Sequence, residues 1–270
     1  MKHSRLSRWR IGVQSGFLLA WLDPFLLRMH GFCSPVFHCH SCPLATLACP
    51  IGILANGSAI HTFPFIALGA IVFFGALFGS LICGWACPFG FLQDLLGKIP
   101  TPKFELPAWA GWFRFAVLLG LVAGIPFFFG EDSPFFFCRL CPAGAIEAAV
   151  PNGVQQAVTG QPILWPSMVK VAILATFLAS SLFTRRPWCT LFCPLGAIYG
   201  LFNHVSLLFV RFQPAHCTDC DLCHKTCQYS KRSEGRASDP RCIRCLECMQ
   251  CNALTIGILT RSDEVRTRTV

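Results

Sequence analysis

The apolar positions of this chain fall in long blocks rather than in alternation. Four blocks approach the roughly 20 residues that a helix needs to cross the hydrocarbon core of a bilayer. They cover residues 11–29, 62–82, 112–130 and 167–184. Asp23 and Pro24 interrupt the first. Basic residues ahead of an apolar run also open a secretory leader, but no small-residue cleavage site follows, and the block is read as a span. After about residue 205 the blocks give way to a polar, cysteine-rich stretch. The pattern predicts an α-helical membrane protein: a four-helix transmembrane domain over residues 1–205, then a small α+β domain over 206–270.

Composition agrees with that division. With 54% hydrophobic and 13% charged residues, the chain has too little charge to cover the surface of an ordinary soluble domain of 270 residues. Lys and Arg are distributed unevenly. Lys2, Arg5, Arg8 and Arg10 precede the first block, Lys98 and Lys103 follow the second, and Arg185 and Arg186 end the fourth. The loop from Gly31 to His61 has none, and the third loop has only Arg139 before residue 167. The positive-inside rule then predicts both termini on the cytoplasmic side of a prokaryotic inner membrane, with the first and third loops outside. The net charge of +9 does not gather into one patch, so no nucleic-acid partner is expected.

Eighteen cysteines change the picture more than the charge does. Cys83-Gly-Trp-Ala-Cys87-Pro-Phe-Gly and Cys189-Thr-Leu-Phe-Cys193-Pro-Leu-Gly share the pattern CxxxCPxG at a separation of 106 residues. The outer loops carry a second pair, Cys39-His-Ser-Cys42-Pro and Cys138-Arg-Leu-Cys141-Pro-Ala-Gly. The chain therefore reads as two parallel repeats, each with two spans, an outer CxxCP and an inner CxxxCPxG, related by an axis along the membrane normal. Two thiolates from each copy would complete a four-sulfur shell on each face, as a 4Fe-4S cluster or zinc requires. A small buried hydrophobe accounts for a lone Cys, but poorly for eight paired ones. The inner site is assigned to Cys83, Cys87, Cys189 and Cys193. The outer site takes Cys138 and Cys141 with two of Cys33, Cys39, Cys42 and Cys49. Spacing favours Cys39 with Cys42, whereas Cys49-Pro-Ile-Gly matches the CPxG signature better. A disulfide within either outer pair competes on an oxidising face.

The C-terminal stretch has the most specific spacing. Cys217, Cys220, Cys223 and Cys227 give C-x2-C-x2-C-x3-C, and Cys242, Cys245, Cys248 and Cys251 give C-x2-C-x2-C-x2-C. In two-cluster ferredoxins the fourth Cys of each run binds the other cluster. One 4Fe-4S cluster is thus assigned to Cys217, Cys220, Cys223 and Cys251, and the other to Cys242, Cys245, Cys248 and Cys227. The second run is one residue short, and Gln228 and Asn252 stand where such runs carry Pro.

The CxxxCPxG pair joined to this domain resembles the NapH/MauN group of ferredoxin-type membrane proteins, related to the membrane domain of the NosR regulators. The resemblance covers nearly the whole chain. It implies a non-catalytic electron-transfer subunit that takes electrons from quinol, works beside other redox subunits in a membrane complex, and serves a reductase outside the membrane. Among other residues, His30 and His61 are candidates for a quinone pocket and Asp23 for a proton or quinone role. His38 and His40 read as interfacial, and Phe127 to Phe129 and Phe135 to Phe137 as lipid-facing or interfacial packing. Two rival functions remain at this level: a transmembrane thiol-disulfide relay, and a cluster-based redox sensor or assembly protein.

Overall fold

The computed structural model describes residues 5–22, 49–104, 106–146, 156–160, 162, 167–218, 223, 227, 239–250 and 253–258. Helices occupy all four apolar blocks as far as these are described. Helix α1 (Arg5–Leu22) takes the start of the first block, whose residues 23–29 lie outside the described set, as do Asp23, His30, His38 and His40. There follow α2 (Pro50–Ala59), α3 (Phe65–Phe78), α4 (Leu81–Trp85) and α5 (Pro88–Leu96). The long helix α6 spans Trp109–Phe129. Helices α7 (Phe137–Leu140), α8 (Met168–Phe183), α9 (Pro187–Leu191) and α10 (Pro194–Phe202) precede strands β1 (Leu208–Phe212) and β2 (Leu254–Ile258).

Among the described residues one helix, α6 with 21 residues, is long and apolar enough to cross a membrane. Helices α3 and α8 are apolar but have 14 and 16 residues. At 1.5 Å per residue they reach about 21 and 24 Å, short of a core of about 30 Å. Helix α3 stops where Gly79 takes a φ of +55°. A Cβ there would lie 2.8 Å from the Arg244 guanidinium and 2.9 Å from Asn203 Oδ1, so the turn requires glycine on both counts. Helix α6 changes winding along its length: a 3-10 turn over Ala108–Trp112, and a π stretch over Leu118–Gly124 just ahead of Pro126. Proline lacks the N–H of a regular α ladder, and the wider turn absorbs that gap.

The chain forms two compact units that do not follow its order. One holds residues 1–14, 72–87 and 196–270, the other residues 15–71 and 88–195. In the second unit α2 packs on α6 and α7, and α8 packs on α5, α7 and α9. Buried Trp188 of α9 is the aromatic centre, edge-on to Phe177 at 4.8 Å and stacked on Phe192 at 5.8 Å. In the first unit β1 and β2 pair antiparallel, from Leu208 opposite Ile258 to Phe212 opposite Leu254. Their inner face contributes Val210 and Leu254 to a core with Cys223, Leu246 and Ala253, against which Leu81 and Trp85 of α4 also pack.

Candidate iron-sulfur sites

Four of the C-terminal cysteines come together. Cys227, Cys242, Cys245 and Cys248 line one cavity, with Val210, Ile243, Arg244 and Leu246 as its other walls. The grouping follows the crossed pattern, in which the last Cys of the first run joins the first three of the second. The loop is shaped for it. Arg244 and Leu246 take φ of +49° and +63°, an uncommon conformation for side chains of that size. The Arg244 backbone N–H thereby donates towards the Cys242 sulfur and the Glu247 N–H towards Cys245. Without metal these thiols stay protonated. Burial pushes Cys242 up to about 11, against the Arg244 N–H, and pushes Cys245 up to about 12, against the charge of Arg10.

The donor set fits a 4Fe-4S cluster. Four thiols face one space, and N–H groups are already directed at the sulfurs of Cys242 and Cys245. Among the described residues no three Cys, His, Asp or Glu converge on a single-ion position. The indole nitrogen of Trp85 adds a buried donor with no partner among the described residues. Of the cysteines that the spacing assigns to the other cluster, Cys217 and Cys223 pack at the same core, while Cys220 and Cys251 lie outside the described residues.

Two cations missed at the sequence level frame this site. Arg244, 3% exposed, donates to Ser206 Oγ at 2.6 Å, to the Asn203 carbonyl at 3.0 Å and to the Leu208 carbonyl. Arg10 pairs with Glu247 at 2.5 Å and donates to the Gly84 carbonyl at 3.0 Å. In the sequence Arg10 reads only as a topology signal. A positive residue in an N-terminal segment gives no hint, by itself, of an acid more than two hundred residues away.

The inner cysteines fall in both units: Cys83 and Cys87 in the first, Cys189 and Cys193 in the second. Each pair straddles the same local device, because α5 begins at Pro88 and α10 at Pro194, directly after the second Cys. Cys49 and Cys141 repeat it as N-caps of segments that begin at Pro50 and Pro142. Proline suits the first helical position, where its missing N–H has no partner to lose. The helix amides then favour a thiolate beside them. At Pro88 and Pro194 one helix has just ended and the next begins.

Each first inner Cys has a polar neighbour. Gln93 of α5, 1% exposed, accepts the Trp188 N–H on Oε1 at 3.2 Å, which turns its Nε2 to the Cys189 sulfur at 3.4 Å. Tyr199 stands 106 residues after Gln93, the separation between Cys83 and Cys189. Burial, and then the Cys83 thiol, push Tyr199 up to about 12. Arg186 holds this part of the second unit together through a two-pronged pair with Asp94, at 2.6 and 2.5 Å.

Of the outer cysteines, Cys33, Cys39 and Cys42 lie outside the described residues. Cys49, Cys138 and Cys141 are half-buried, and the helix that Cys49 caps packs on α7, which carries Cys138. His61 sets its ring edge-on to Phe127 at 4.5 Å.

A family model described as a 4Fe-4S binding domain matches residues 60–107 and 166–214. The two segments begin 106 residues apart and contain Cys83 with Cys87 and Cys189 with Cys193. Curated relatives include the putative electron transport protein YccM of Escherichia coli K12, 27% identical over 63% of this chain and 47% of its own length. The methylamine utilization ferredoxin-type protein MauN of Methylorubrum extorquens is 27% identical over 68% and 56%, and the ferredoxin-type protein NapH of Haemophilus influenzae 27% identical over 60% and 52%. The chain is similar to ferredoxin-type proteins of the NapH and MauN kind. These likenesses support an iron-sulfur electron-transfer role, and the two matched segments support two 4Fe-4S clusters. The chain spans about half the length of those relatives. No solved structure matches it.

Proposed function

We propose that the chain is a multi-pass membrane electron-transfer subunit with cysteine sites on both faces and a two-cluster domain on the cytoplasmic side. The observation that carries the reading is the cavity shared by Cys227, Cys242, Cys245 and Cys248. Cys217, Cys220, Cys223 and Cys251 would hold the second C-terminal cluster. Cys83, Cys87, Cys189 and Cys193 would hold an inner one, and Cys138 and Cys141 with two first-loop cysteines an outer one. A bound cluster supplies a one-electron redox centre whose potential follows burial and hydrogen bonds to sulfur. The protein's own part is to fix the thiols, aim N–H groups at them and place Arg10 and Arg244 nearby.

Apolar surface supports the membrane setting. Phe65, Trp109, Phe128 and Met168 are all more than 70% exposed, as large apolar side chains that face lipid would be. Both termini would face the cytoplasm of a prokaryotic cell, with electrons exchanged between a quinol pool or outer-face redox partner and the cytoplasmic clusters, beside other redox subunits. Iron analysis of anaerobically purified protein tests the assignment. At four iron atoms per four-cysteine site, filling all four sites gives about 16 per chain, loss of the outer site about 12, and the C-terminal pair alone about 8. A value well below about 8 overturns the reading.

A further inference from the structure

We propose that α4 is the joint between the inner cysteine pair and the C-terminal cluster site, and that the Trp85 indole N–H donates a hydrogen bond to sulfur at that site. The inference deepens the reading of Cys83 and Cys87 as cluster ligands and rests on it.

Helix α4 contains Cys83 and ends two residues before Cys87. Its next residue, Gly84, is buried, and a Cβ there would lie 2.4 Å from the Ile243 carbonyl oxygen and 3.3 Å from the Arg244 carbonyl carbon. Glycine therefore lets the backbone between the inner cysteines rest on the backbone between Cys242 and Cys245. The contact is clasped on both sides. The Gly84 carbonyl accepts from Arg10 Nε at 3.0 Å and from Gln14 Nε2 at 2.9 Å. Arg10 reaches onward to Glu247, which lies between Cys245 and Cys248. At the start of α4 the Ser80 hydroxyl donates to the Cys242 carbonyl, which also accepts from Asn203 Nδ2 at 2.8 Å. Arg10, Gln14, Ser80 and Asn203 are all nearly inaccessible to solvent, so the joint is rigid as well as close.

Trp85 points the same way. Its ring packs on the core of Val210, Cys223 and Leu246, which Cys217 and Cys248 also touch. Its indole nitrogen is buried with no partner among the described residues. A buried N–H without an acceptor is unfavourable, and indole is a donor only. Sulfur of a cluster held by these cysteines supplies the missing acceptor. Such a hydrogen bond favours the reduced, more negative state and raises the potential. No bond is made or broken and no proton changes place.

The test is a potentiometric titration followed by EPR on the full-length protein in detergent, with Trp85→Phe as the variant. Phenylalanine keeps an aromatic ring in the core and removes the donor. The midpoint of a C-terminal centre should shift to lower potential at unchanged iron content, and unshifted midpoints overturn the hydrogen bond. The joint has its own readout. In the fully reduced unmodified protein the inner and C-terminal centres should show spin coupling, weakened in Gly84→Ala, and an inner centre that is present but uncoupled overturns it. Iron analysis showing no inner centre overturns the reading of Cys83 and Cys87 as ligands, and the joint with it; the Trp85→Phe shift reports the hydrogen bond independently.

Discussion

At the scale of single residues, the thiols of Cys242 and Cys245 face opposing demands. The site needs thiolates, yet burial holds both protons on. In the unfolded chain these groups ionise near 9.0, and in the iron-free fold only at about 11 and about 12. Above pH 9 the unfolded chain therefore binds fewer protons than the folded one. The stability of the iron-free fold is fully present below that point and falls as pH rises towards 11 to 12. Thermal unfolding of iron-depleted protein should show a lower midpoint at about pH 10 than at about pH 8, and the cluster-loaded protein should not show this fall. A flat profile for the depleted protein would mean that these thiols are not buried as described. Gln93 applies the complementary device at Cys189, where a donor offered to sulfur offsets the loss of solvent.

At the scale of elements, short helices are positioned by buried polar ties as much as by apolar contact. Helix α5 and the segment that leads into α9 meet through Asp94 and Arg186. The Arg186 side chain is wholly buried and Asp94 is 17% exposed. Arg186 also sits at a φ of +48°, so the pair holds a turn that the backbone alone disfavours. Removing one partner of such a pair leaves an uncompensated buried charge. Asp94→Ala should thus destabilise the second unit by about 3–5 kcal/mol, read as a lower thermal midpoint in detergent. The same variant loosens the Gln93 contact with Cys189, since Gln93 adjoins Asp94. A variant with an unchanged midpoint would show the pair to be dispensable.

At the scale of the whole molecule, the charge asymmetry predicts orientation. Arg10 and Arg186 must be removed from the topological count, because both are buried in ion pairs. The bias survives without them: in the proposed topology Lys2, Arg5, Arg8, Lys98, Lys103 and Arg185 would still lie on one side, against Arg139 on the other. Reporter fusions after Gly57 and Asn152 should report outside, and fusions after Lys103 and Val270 inside. An inside signal at Gly57 would remove the two-faced arrangement, and with it the outer cysteine site.

The apolar blocks and cysteine spacings determined much by themselves. Block length and hydropathy predict helices from local periodicity alone, and α6 and α8 begin and end within about three residues of the predicted runs. Cys227, Cys242, Cys245 and Cys248 line one cavity, and their spacing is the signal in the sequence that points to them, because ligand spacing follows the size of a cluster. What bears on Trp85, Gln93, Arg10 and Arg186 was not legible, since each acts through a partner far away in sequence. A Trp between two cysteines looks the same whether it faces lipid or a cluster core. Only the tertiary structure decided that the compact units take alternating pieces of the chain. The reason is physical: hydrogen bonds and ion pairs between remote segments depend on three-dimensional proximity, and periodicity encodes only what a helix or strand does with its own neighbours.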